Sequence, residues 1–188
     1  MMKPGMVASG SAWVLHDLST AAAFGGALFG KLALNPAVKA ISSKRERGKV
    51  LSVAWGGYNL INAISTGIAG ATWLAGRTML SGREIDKSSH GLVIAKDVLL
   101  GVTVATGAAC IVGNVIMAKD AVQGNVPVEA GGEPSSDTPQ PHKGLQTFFR
   151  IIGTANLLSL AGVIGLTTVL ATKSSKSHTF SFLSRFLP

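Results

Sequence analysis

Four stretches of the chain run for about twenty positions or more in apolar and small residues, and polar or charged residues gather between them. A helix rises about 1.5 Å per residue, so each stretch is long enough to cross a hydrocarbon layer of about 30 Å. The pattern predicts helices over about residues 11–41, 50–76, 91–118 and 148–172, with Asn35-Pro36 marking the last turns or a kink of the first. The fold class expected from it is all-α integral membrane: an antiparallel bundle of four transmembrane helices, filling residues 1–172 and returning both termini to one side.

The connections differ. The first, SSKRERGK at 42–49, reads as a short basic turn, and the second, RTMLSGREIDKSSH at 77–90, mixes both signs around Ser81-Gly82. Residues 121–144 read as a proline- and glycine-rich loop with too little apolar surface to fold alone. The tail, 173–188, is basic and aromatic. Phe182 and Phe186 are four apart there, the spacing of one helical face, and are expected to meet a partner or the headgroup layer.

Composition agrees with lipid as the solvent. Of 188 residues 47% are hydrophobic and only 14% charged, and the mean hydropathy is +0.39. The net charge of +8 does not redirect the reading to nucleic acid, because the bases sit in short clusters beside apolar segments, where they anchor helix ends at anionic headgroups. Lys and Arg nearly balance across the two faces. The cluster Lys39, Lys44, Arg45, Arg47 and Lys49 tilts the expected orientation to a cytoplasmic first connection and outside termini. Cys110 is alone within an apolar segment, which excludes an intrachain disulfide.

With lipid outside, small residues that let backbones approach and shallow polar groups are expected to hold the helices together. The small positions at helical spacing are Ala22, Gly26 and Gly30; Ala63, Gly67 and Ala71; Ala105 and Ala109; and Ala161 and Gly165. The polar positions fall into two layers. His16, Asp17, Lys96 and Asp97 lie toward the termini, with Lys96 or His16 expected to meet Asp17 or Asp97; Asn59, Asn62, Asn114 and Asn156 lie toward the other face. Lys31, also there, is expected to snorkel along its stem to the surface. His16-Asp17 and Lys96-Asp97, with Asn62…Ser65 and Asn156…Ser159, also hint at two related hairpins, although chance likeness between small-rich helices explains as much.

No phosphate loop, HExxH, CxxC or GxSxG occurs, so no catalytic residue is assigned and the chain is not expected to be an enzyme by itself. No cofactor or metal is expected beyond bound lipid, with His16 the one candidate ligand should haem, a pigment or a quinone associate. A small-rich opening helix ending in Asn35-Pro36, the basic turn, and Asn59 and Asn62 carry a resemblance. On these features DLSTAAAFGGALFGKLALNPAVKAI and RERGKVLSVAWGGYNLINAISTGIAGATW resemble the first half of small bacterial four-helix integral membrane proteins of uncharacterised function. The resemblance implies a bacterial inner-membrane protein and no mechanism. The function expected is a noncatalytic accessory or assembly subunit of a membrane protein complex, with lipid and other membrane subunits as partners. The alternatives are a small homo-oligomeric transporter or ion-conducting protein, and a pigment-, haem- or quinone-associated subunit of an electron-transfer assembly.

Overall fold

A computed structural model describes residues 4–76, 89–120 and 126–175. The elements are α1 (Pro4–Phe29), α2 (Asn35–Ala37), α3 (Lys44–Ala75), α4 (His90–Asp120), a hairpin of β1 (Val128–Ala130) and β2 (Glu133–Pro134), and α5 (Gln140–Ser175). Three stretches, Gly10–Ala40, His90–Met117 and Gln140–Lys173, are long and apolar enough to cross a membrane. Phe182 and Phe186, residues 77–88 of the second connection and residues 121–125 lie outside the described residues.

The helix boundaries have local causes. Pro36 lacks an N–H and crowds the carbonyl four residues back, so the helix widens ahead of it into a π turn over Gly30–Leu34, where the Asn35 N–H reaches the Gly30 carbonyl. A 3-10 turn over Val38–Ala40 then ends the segment at Ile41, whose backbone is extended. α3 opens earlier than the basic turn suggested. Ser43 and Glu46 have the Ser-x-x-Glu spacing of a capping box, and the Ser43 hydroxyl accepts from the Glu46 N–H at 3.3 Å. α5 likewise opens eight residues early, at Gln140. Pro141 does not prevent this, since an N–H in the first turn has no intrahelical partner to lose.

α1 packs on α3, α3 on α4, α4 on α5 and α5 on α1, closing a ring. Neighbours run in opposite directions: His16 faces Ala69 while Tyr58 reaches back to Ala23, Trp73 faces Asp97 while Asn62 lies against Gly107, and Leu99 lies against Gly162 while Gly113 lies against Phe149. The usual distribution of side chains is reversed. Leu18, Leu32, Val53, Leu60, Val98 and Leu158 are all exposed, whereas His16, Thr20, Asn62, Lys96, Thr103 and Asn156 are buried. Such an exterior suits hydrocarbon, and the polar groups pair with one another inside.

The small-residue stripes are corrected by this arrangement. Only Gly26 and Gly30 make the close approach expected of them, against the rings of Tyr58 and Trp55. Ala22, Ala63, Gly67, Ala71, Ala105, Ala161 and Gly165 are exposed and Ala109 is half-buried. The inward faces of α3 and α5 are taken by Asn62, Ser65, Asn156 and Ser159, whose hydrogen-bonding groups have more to lose in lipid than a methyl or a proton. Close packing is achieved by other glycines, Gly113 against the Phe149 ring and Gly162 against Leu99.

The loop expected over residues 121–144 is also corrected. Val126, Val128 and Ala130 are buried, and Val128 joins Val38 and Leu51 in an apolar cluster flanked by Leu34, Ile41 and Trp55. The hairpin thus borrows the apolar surface that it lacks alone. Gly132 makes its turn at φ +77, a backbone conformation that glycine adopts without steric cost. Arg47 clamps it, donating to the Ile41 carbonyl at 2.6 Å, the Glu129 carbonyl at 3.1 Å and Glu129 Oε2 at 3.2 Å. Lys44 meets Glu129 at 2.7 Å and Lys39 meets Glu133 at 3.3 Å.

The hydrogen bond from Lys44, followed by the charges of Lys44 and Arg47, holds the Glu129 carboxyl below its ordinary range, and the same bond raises Lys44. Glu129 therefore supports docking fully above its unfolded-state pKa of about 4.3 and loses that support as pH falls through its lower folded value. Lys44 contributes fully below about 10.4 and loses its share as pH rises through its higher folded value. Hydrogen exchange at Val128–Ala130 is expected to show protection that is level across neutral pH and weakens in acid. Glu129→Gln should speed exchange there severalfold at neutral pH, and unchanged protection would show that the apolar contacts alone hold the hairpin.

Candidate functional site

Two polar centres lie inside the helical ring. The first is built around His16 on α1. Its Nδ1 lies 3.0 Å from the Ala69 carbonyl, which only accepts, so Nδ1 carries the proton. Thr72 Oγ1, at 3.2 Å, spends its own hydrogen on the Ile68 carbonyl and is free to accept as well. Nε2 therefore presents a lone pair. It faces the Nζ of Lys96 on α4 at 2.9 Å.

Lys96 is completely buried, and its Nζ stands 3.9 Å from the centre of the Trp73 ring and 5.8 Å from that of Trp13. The Lys96 nitrogen is held by an imidazole lone pair and an indole face. Where the sequence led us to expect a lysine–aspartate ion pair, Lys96 meets His16, and Asp97 accepts from Trp73 Nε1 at 2.7 Å. Asp17 is exposed. Thr167 of α5 closes the cluster, with Oγ1 3.5 Å from His16 Nε2. The centre ties all four long helices at one level. Both ring nitrogens of His16 are engaged, so an iron or other metal would reach Nε2 only by displacing the ammonium.

The second centre is a chamber of about 160 Å³ toward the hairpin end. Asn59, Asn62, Asn114 and Asn156 all line it, together with Lys31 and Tyr58. Tyr58 donates to the Ala23 carbonyl at 2.8 Å and lies 3.3 Å from Asn62 Oδ1. Asn156 Nδ2 donates to the Thr103 carbonyl at 3.0 Å and to Thr106 Oγ1 at 2.8 Å, joining α4 and α5. Trp55 Nε1 donates to Asn35 Oδ1 at 3.0 Å, which ties α3 to the proline kink.

Lys31, expected to snorkel along its stem, has its Nζ among exposed groups. It reaches across to α5, where its Nζ donates to Thr154 Oγ1 at 2.8 Å and to the Arg150 carbonyl at 3.3 Å. The lysine stem runs along Gly153, where a Cβ would lie 3.6 Å from Lys31 Cε, an ordinary contact. Gln146 and Arg150 complete the lining from α5, and sequence reasoning missed both. Gln146, Arg150, Gly153 and Asn156 follow helical spacing, a signal hidden by starting the helix at residue 148. Gln146 is 3% exposed and neither amide atom has a partner.

Compared with family models, curated proteins and solved structures, the chain matches none.

Proposed function

We propose that the protein is a noncatalytic bacterial inner-membrane protein whose four long helices all cross the bilayer as an antiparallel bundle, and that it holds a small polar solute in the chamber between them. The observation that carries this reading is the chamber itself, with buried Gln146 left unpaired at its edge. A buried amide without a partner costs about 1–3 kcal/mol, a cost that a hydrogen-bonding solute would remove. α3 is less apolar than the other three, but residues 50–75 carry no charge and would span about 39 Å at about 1.5 Å per residue. Its polar Asn59, Asn62, Ser65 and Thr66 are buried, so its lipid face stays apolar. The basic first connection and the hairpin then face the cytoplasm and the termini face outside.

A solute that occupies the chamber is expected to raise the Tm of the detergent-purified protein in a concentration-dependent way, by the amount that ligand linkage requires. Cys110 lines the chamber, and Cys110→Phe should abolish the rise while the protein still folds. A panel of small polar solutes that leaves the wild-type Tm unmoved would count against the reading.

A second reading, an accessory or assembly subunit, is favoured by the outward small residues Ala63, Gly67 and Ala71 of α3 and Ala161 and Gly165 of α5, which leave room for another helix to approach. Native electrophoresis with mass spectrometry of a mild membrane extract separates the two. Partners of different sequence support the subunit; the chain alone or with copies of itself supports a self-sufficient solute-holding protein.

A further inference from the structure

We infer that the chamber takes a small organic carboxylate, no larger than benzoate, whose anionic end meets Lys31 and Arg150 beneath the hairpin. The inference rests on the solute-holding reading above and adds the charge and size of the ligand to it. Charge comes first. Among the described lining residues there are two cations, Lys31 and Arg150, and no Asp or Glu. Neither cation has a carboxylate partner among the described residues.

Lys31 spends two of its three N–H groups on Thr154 and the Arg150 carbonyl, which leaves one to donate. The Arg150 guanidinium offers a planar fork that fits a carboxylate edge to edge. Gln146, buried and unpaired, supplies an amide from the same face of α5. A zwitterionic amino acid fits less well, because its ammonium would find no acid on these walls.

Size and body follow from the remaining lining. Leu51, Trp55, Met117, Val126 and Phe149 give apolar walls, against which the hydroxyls of a sugar would lose their hydrogen bonds to water. The volume of about 160 Å³ is close to that of an apolar cavity of about 150 Å³ known to admit benzene. An aromatic or branched body of that size, carrying one carboxylate, satisfies both ends.

Such a carboxylate is a short acid taken from water, since the chain of a bilayer fatty acid exceeds the chamber. The test is equilibrium dialysis of radiolabelled benzoate against the full chain in detergent, with isovalerate, hexadecanoate and benzyl alcohol as competitors. We expect benzoate to bind, isovalerate to displace it, and benzyl alcohol to compete at least about tenfold less well, as expected for loss of charge-assisted hydrogen bonds. Lys31→Met and Arg150→Gln should each weaken benzoate about tenfold or more. Hexadecanoate is too long for the chamber and is expected not to compete; competition by it would overturn the size limit.

Absence of benzoate binding overturns the inference, as does benzoate binding unchanged in Arg150→Gln and in a folded Lys31→Met. Benzyl alcohol binding as well as benzoate, with both lost in Cys110→Phe, overturns the charge but leaves the chamber reading standing. Benzoate binding that survives Cys110→Phe overturns the chamber reading too.

Discussion

His16→Leu is expected to destabilise the protein by about 3 kcal/mol, while the double variant His16→Leu with Lys96→Met regains most of that loss. The asymmetry follows from which partner is left behind. Leucine at 16 removes the lone pair that accepts from Lys96 Nζ and strands an ammonium that is completely buried. The Trp73 face remains, but a ring quadrupole in a desolvated site is worth only about 2 kcal/mol. The ammonium must then shed its proton or draw in water. Methionine at 96 has nearly the same shape without the charge, so the pair of substitutions exchanges a polar contact for an apolar one, a change that is often close to neutral. Lys96→Met alone should cost about 1–3 kcal/mol, because His16 Nε2 is then an unsatisfied buried acceptor. The measurement is a double-mutant cycle of unfolding free energies in mixed detergent micelles. Single losses that simply add in the double variant would show that the two side chains do not hold each other.

The same pair shows what was legible in the sequence and what was not. Charges at the mouths of apolar segments placed His16, Asp17, Lys96 and Asp97 in one layer near one end of the helices; His16 and Lys96 meet there, while Asp17 is exposed. The partner choice did not follow, because it depends on helix rotation: Lys96 turns to the imidazole and Asp97 to the Trp73 indole. The four asparagines share one chamber for a similar reason. In lipid an amide is pushed inward, so polar spacing along a helix reports its buried face more faithfully than small residues do. Ala63 and Gly67 pass for a packing stripe by their spacing alone, and sit outside because Asn62 and Thr66 already claim the inside.

The hairpin was illegible for another reason. Residues 126–134 hold too few apolar side chains to predict a fold on their own, and their order comes from surface lent by Val38, Leu51 and Trp55. The early start of α3 also hid Lys44 and Arg47, which hold the hairpin from that first turn. Ser43 with Glu46 was the available signal for α3, and Gln146 with Arg150 for α5.

Gly48→Val is the substitution expected to free that hairpin. Gly48 lies on α3 where a Cβ would run into the carbonyl oxygen of Val126, a backbone atom that no rotamer change can move aside. Helix and hairpin lead-in are both fixed, so the hairpin has to lift. Val126, Val128 and Ala130 then lose their cover. Exposing a buried valine forfeits about 1.5–3 kcal/mol, so release of two should cost docking about 3 kcal/mol or more. The chamber loses Val126 and Val128 from its walls and opens at that end. Faster hydrogen exchange across Val128–Pro134 and faster maleimide labelling of Cys110 are expected together, while exchange within α4 and α5 changes little. Gly57→Ala is the control, since a Cβ there meets nothing within 4 Å and a helical Gly→Ala change is stabilising by about 0.5–1 kcal/mol. Retained protection of the hairpin in Gly48→Val would mean that α3 can shift to accommodate the side chain. The chamber would then be closed by something other than the contact between Gly48 and Val126.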